Sequence, residues 1–111
     1  MRMWMTNPKI MCRQHLLGEH LELHMIVGCL LKGKSLQGYL RKGLVELSAI
    51  EKRHNELIAE MINRGYTHKS PLPAFGYNMT ETGNVNIRQN LKELLRRCKE
   101  CRRKAKNNKV V

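Results

Sequence analysis

The chain has 111 residues, 41% of them hydrophobic, and sets 21 Lys and Arg against 9 Asp and Glu for a formal net charge of +12. That length bounds one domain with a modest core, and the regular apolar spacing argues against disorder. A positive excess of this size calls for an anionic partner, most simply nucleic acid, held with strong salt dependence. No apolar run is long enough to span a membrane and no signal-peptide core opens the chain, so the four Cys are expected as reduced thiols in a cytoplasmic or nucleoid-associated setting.

In chain order, residues 1–11 read as an extended lead-in, because Pro8 disfavours helix at Asn7. The spacing predicts a first helix from about Met11 to Leu31, with Leu16, Leu23, Val27 and Leu30 facing a core and Gly33 as its stop. A short helix broken by Gly38 and Gly43 is expected in residues 35–44. A second long helix follows, opened by a Ser48-x-x-Glu51 capping box. Its apolar face is Ile50, Leu57, Ile58, Met61 and Ile62, and Gly65 ends it. Residues 67–85, with Pro71, Pro73, Gly76 and Gly83, read as an irregular connection presenting Phe75 and Tyr77. Loops of this length are uncommon unless functional. The last helix is predicted from Asn86, capped through Gln89, with Ile87, Leu91, Leu94, Leu95 and Cys98 inward. From about residue 99 it becomes a frayed basic tail available to phosphates. With no strand alternation, the fold class is all-α: one compact domain of about three main helices with a long irregular connection.

Several patterns carry chemistry in other contexts. Gly28 to Ser35 spells the P-loop signature, but its first Gly lies inside a helical pattern with no preceding strand, so the phosphate cradle cannot form. His20 and His24 are four apart on one helix face, which suits zinc, yet no third or fourth ligand is evident and hydrogen-bonded histidines are the better reading. Cys98-x-x-Cys101 lacks a second pair at zinc-ribbon spacing and a thioredoxin-like surround, and Cys98 reads as core. No metal site is expected. Asn78-Met79-Thr80 fits a glycosylation acceptor without a secretory context. Within Gln14 to His24, His15, Glu19 and Glu22 share one side of the helix, and Gly18 leaves the backbone open one turn before Glu22. The plain reading is a solvated polar stripe. The chain's own α-amino group is the other chemical candidate. Such groups have a reference pKa of about 7.7–8.0, which leaves a neutral fraction at pH 7 able to attack a sugar aldehyde carbon.

Met1-Arg2, the run QHL-x-x-E-x-x-E over residues 14–22, and ELIAEMINRG followed by Tyr66 together resemble the pyrimidine-dimer DNA glycosylases of the phage endonuclease V type. The resemblance covers roughly the first two-thirds of the chain. It implies an all-α single domain that uses an N-terminal amine to attack C1′ of the damaged nucleotide, forms an imine, and nicks the strand by β-elimination. On that resemblance Met1 falls where the family's amine lies. A Met before Arg2 is generally spared by methionine aminopeptidase and is expected to stay. Glu22 matches the family's helix glutamate, and Arg2 and His15 match other active-site positions. Arg2 would tune the amine or bind a phosphate, and His15 would orient Glu22 or contact the sugar. The family's flanking helix arginines are replaced by Leu21 and Met25, and a basic helix replaces its aromatic-rich C-terminal segment.

The resulting expectation is a DNA glycosylase with abasic-site lyase activity, monomeric, acting on damaged double-stranded DNA without cofactor. Met1, Glu22, Arg2 and His15 are its catalytic set. Gln14, Lys32, Lys34, Arg41, Lys42, Arg96, Arg97, Arg102 and Arg103 are expected to contact DNA, the cations compensating for the missing helix arginines. The lesion stays open at this point. The alternative is a non-catalytic nucleic-acid or nucleotide-binding protein on the same scaffold, and a zinc-dependent hydrolase on His20 and His24 is a third class.

Overall fold

The computed structural model describes residues 1–108. Among these there is no strand, and the chain forms α1 (Arg13–Leu31), α2 (Gln37–Arg41), α3 (Ile50–Asn63), α4 (Ile87–Arg97) and α5 (Lys99–Asn107), with 3-10 turns at Pro8–Ile10 and Leu47–Ala49. No helix is long and apolar enough to cross a membrane among the described residues. The Cα extents of 41 × 30 × 17 Å allow about two helix layers.

Helix α1 is long because apolar residues recur at helical spacing. Leu16, Leu23, Ile26 and Val27 are fully buried, and they meet Ile50 and Leu57 of α3 and Leu94 of α4 in one core. Leu30 is only half-buried, and Ile62, expected inward, is 60% exposed. Gly65 ends α3 at φ +84°, a left-handed position that suits glycine. The motif that closes α3 serves packing. Arg64 Nε donates to Glu60 at 2.7 Å, and its Nη2 donates to the carbonyls of Pro8 at 3.0 Å and Met11 at 2.7 Å. Arg64 thereby ties the end of α3 to the turn before α1.

Two local expectations are corrected. The Ser48–Glu51 capping box does not form. The chain takes a 3-10 turn over Leu47–Ala49, and Ala49 occupies the N-cap with no side-chain hydrogen bond. The last helix is also two helices. Its start is as expected, with Asn86 Oδ1 accepting from Gln89 N at 3.0 Å. Cys98 then adopts extended backbone (φ −117°, ψ 111°) and starts α5 as a new N-cap. The basic segment continues as helix to Asn107, anchored by buried Cys101 and Ala105. Residues 109–111 of the expected tail lie outside the described residues. Thr67 to Val85 is irregular, as the sequence implies.

Candidate active site

The N-terminal arm is pinned rather than loose. Met3 and Trp4 are buried, and Met3 N donates to Leu44 O at 2.7 Å. Asn90 of α4, itself buried, donates from Nδ2 to the carbonyls of Met3 (3.0 Å) and Trp4 (3.1 Å). Its Oδ1 accepts from Arg2 Nη2 at 2.8 Å. Met5 bends the arm at φ +56°, a conformation costing an ordinary residue about 1–2 kcal/mol, and its N–H points at Glu19 Oε2, 3.4 Å away. Arg53 Nη1 holds the Thr6 carbonyl at 2.7 Å. Three helices therefore fix where Met1 lies.

The polar side of α1 divides into three environments. Glu19 is not on an open stripe: it is 1% exposed and forms a bidentate pair with Arg53, 2% exposed, through Nε at 2.7 Å and Nη2 at 2.8 Å. His15 turns its Nδ1 to thiols, 3.2 Å from Cys12 Sγ and 3.7 Å from Cys101 Sγ, so that nitrogen does not orient Glu22. Its ring meets Trp4 edge-on at 5.9 Å, and burial lowers its pKa. Glu22 alone faces the N-terminus. Burial raises its carboxyl pKa, and the Met1 ammonium and the Arg2 backbone N–H pull it back only in part. The space beside Gly18 is open, with nothing within 4 Å of a Cβ built there.

Met1 also lines a cavity of about 370 Å³ with Met25, Gly28, Cys29, Lys32, Lys34 and Tyr39. Gly28 lies inside α1, so the P-loop spelling forms no loop. Its two lysines instead stand with Met1. Leu21 and Met25, at the positions of the missing arginines, are 60% and 50% exposed. Arg2 stacks its guanidinium 3.9 Å over the Trp4 ring. Burial first, and then Arg97, lower its pKa.

The remaining expected DNA contacts, Gln14, Arg41, Lys42, Arg96, Arg97, Arg102 and Arg103, are all exposed. Three of the arginines have carboxylate neighbours: Arg96 and Arg97 on Glu93 at 2.6 and 2.7 Å, and Arg103 on Glu100 at 2.5 Å. Such exposed pairs are worth little and yield readily to a phosphate. Among the described residues Lys32, Lys34 and Lys42 make no ion pair.

Two side-chain clusters form only when distant segments meet in the fold. His20 and His24 of α1 meet His54 of α3 and His68 beyond it, with all four ligand atoms within 4.8 Å of one another. Burial first, then the neighbouring histidines, push the pKa of His20 and of His54 down to about 4. His54 and His68 also line a cleft of about 630 Å³ with Phe75 and Tyr77, whose rings lie 6.2 Å apart. The second cluster is Cys12, His15, Cys98 and Cys101. Its one legible signal was two pairs of equal spacing, Cys12-x-x-His15 and Cys98-x-x-Cys101.

No curated protein and no solved structure matches the chain. A family model, pyrimidine dimer DNA glycosylase, matches residues 1–74, which include the N-terminal arm, α1, α2 and α3. With the arm held beside Glu22 of α1 in an all-helical fold, the chain belongs to the pyrimidine dimer DNA glycosylase family.

Proposed function

We propose that this chain excises a damaged base and nicks the resulting abasic site through a Schiff base on the Met1 α-amino group. The observation that carries this reading is the N-terminal arm pinned by Asn90 over α1 within the family-matched residues, which sets Met1 and Arg2 near enough to the partly buried Glu22 carboxylate to draw its pKa down against burial. The neutral amine attacks C1′, and the glycosidic bond breaks with its electron pair leaving on the base. Ring opening gives an imine between the Met1 nitrogen and C1′. Loss of a C2′ proton then expels the 3′ phosphate by β-elimination. Glu22 is suited to stabilise the cationic sugar and imine and to carry these protons. The target nucleotide, or its partner, must leave the stack to expose C1′.

Lys32 and Lys34, beside Met1 in the 370 Å³ cavity, are suited to the phosphates flanking that sugar. Arg2, fixed by Asn90 and Trp4, positions the arm, and His15 supports it indirectly through Trp4. The substrate in this reading is damaged double-stranded DNA bound by a monomer, and the steps above call for no cofactor. A second reading, a DNA binder without catalysis, is favoured by exposed Leu21 and Met25 where the resemblance places phosphate-holding arginines.

A single residue added ahead of Met1 separates the two. It converts the Met1 nitrogen to an amide and displaces the new amine by up to about 3.5 Å. Nicking of abasic-site DNA is expected to fall to background while affinity for the same duplex stays within about threefold, a change under 1 kcal/mol. Undiminished nicking by the extended chain removes the Met1 amine from the mechanism. A native chain that binds DNA but never nicks it establishes the second reading.

A further inference from the structure

We infer that the chain holds a zinc ion between Cys12, His15, Cys98 and Cys101, which fastens α5 to the start of α1. The four ligand atoms come from segments 86 residues apart in sequence yet lie within 4.8 Å of one another. Zinc takes sulfur at about 2.3 Å and imidazole nitrogen at about 2.0–2.1 Å, so a tetrahedron places S···S near 3.8 Å and S···N near 3.5 Å. Here Cys12 Sγ is 3.8 Å from Cys98 Sγ, and His15 Nδ1 is 3.2 and 3.7 Å from the sulfurs of Cys12 and Cys101. The separation is also far from the roughly 2.05 Å of a disulfide, and all four cysteines are free. So small an enclosure takes one ion.

The surroundings suit anionic sulfur. Cys12 and Cys98 are the N-caps of α1 and α5, so the positive ends of two helix dipoles converge on the cluster. Backbone N–H groups approach each thiol: Cys12 N to Cys101 Sγ at 3.2 Å, Cys101 N to Cys98 Sγ at 3.4 Å, and His15 N to Cys12 Sγ at 3.5 Å. Such contacts orient and support metal-bound sulfur. The ion also explains why the last helix breaks at Cys98, a position with neither Gly nor Pro. Extended backbone there turns Cys98 and Cys101 toward Cys12.

An independent observation carries a second site. The other four of the chain's five histidines form the remaining cluster. His54 Nε2 lies 3.3 Å from His24 Nε2, and His68 Nε2 lies 3.0 Å from His20 Nε2. A tetrahedron of imidazoles about zinc has edges of about 3.3–3.4 Å. This geometry suits a divalent ion of the zinc or nickel type, whose natural ligand is imidazole.

The test is metal content of the native chain by mass spectrometry, with cobalt(II) and zinc(II) titrations of chelator-treated protein. Two equivalents are expected. Cobalt in the Cys3His site gives a near-ultraviolet thiolate charge-transfer band. The double variant Cys98→Ser, Cys101→Ser is expected to lose that band and one equivalent, and His24→Asn with His68→Asn the other equivalent alone. Should either double variant fail to fold, the native titration still decides. No uptake at micromolar metal overturns both sites. A mass two hydrogens below the reduced chain, with no thiolate band, overturns the Cys3His site in favour of a disulfide. One equivalent without that band, untouched by loss of Cys98 and Cys101, leaves only the four-His site standing. One equivalent with that band, untouched by loss of His24 and His68, overturns the four-His site and leaves only the Cys3His site standing.

Discussion

Glu22→Gln is expected to lower nicking of dimer-containing and abasic DNA by about 10²–10⁴-fold, the range typical for loss of a positioned acid or base. DNA affinity should change little. The substitution keeps the shape of the side chain, and the cations proposed to hold phosphate lie elsewhere, at Lys32, Lys34 and along α4 and α5. The pH dependence carries a second signature. Burial raises the Glu22 pKa, and in the proposed steps the carboxylate is the active form. Protonation of the nucleophilic amine already slows the reaction on the acid side, so protonation of Glu22 should steepen that fall from first to second order in proton concentration below a value above the ordinary glutamate range of about 4.3. Glu22→Gln should keep the shallower limb and lose the steepening. Single-turnover rates across pH, with affinity measured in parallel, check both points. Full turnover in the variant would exclude Glu22 from proton transfer.

The second large effect is on stability. Arg53→Ala should destabilise the fold by about 3–5 kcal/mol, because it leaves the Glu19 carboxylate charged and buried without its partner. Arg53 is 2% exposed and uses all three guanidinium nitrogens: Nε and Nη2 on Glu19, Nη1 on the Thr6 carbonyl. For a domain of this size that loss corresponds to a melting temperature lower by more than about 12 °C. Arg53→Lys should recover only part of it, since an ammonium cannot span both carboxylate oxygens. Replacing both partners, as Glu19→Leu with Arg53→Met, should restore more stability than either single change. Urea unfolding of Arg53→Ala, Arg53→Lys, the double variant and its two single changes gives the comparison. A cost under 1 kcal/mol for Arg53→Ala would mean that Glu19 finds water or another donor in the folded chain. The pair also holds Thr6, so the same variants are expected to loosen the arm that carries Met1.

The helices were legible where burial follows a 3.6-residue period. Leu16, Leu23 and Val27 are buried as their spacing implies, and so are Ile50, Leu57 and Met61. Asn86 caps through Gln89 because the cap is local. The Ser48 box was equally well spelled and does not form. Leu47 is drawn into the core and its N–H donates to Thr82 O at 2.6 Å, so the chain enters α3 through a tight turn. A long-range contact overrides the local pattern there.

At the candidate site, the arm, Glu22 and the two lysines were readable from the resemblance and from charge. The roles of Glu19 and His15 were not, since helical spacing places both on the side of Glu22. Their partners Arg53, Cys98 and Cys101 come from distant segments that no periodicity reveals. The histidine and cysteine clusters were hidden for the same reason. Each sequence pair looked incomplete until α1 met α3 and the start of α1 met α5.

The most direct measurement is borohydride trapping on a duplex with a single abasic site, followed by mass mapping of the protein–DNA adduct. A Schiff base reduced in place gives a stable cross-link, expected on the α-amino group of Met1. It should disappear when one residue precedes Met1. A cross-link mapped to a lysine such as Lys32 or Lys34, or none from a chain that binds the duplex tightly with a free amine, would contradict it.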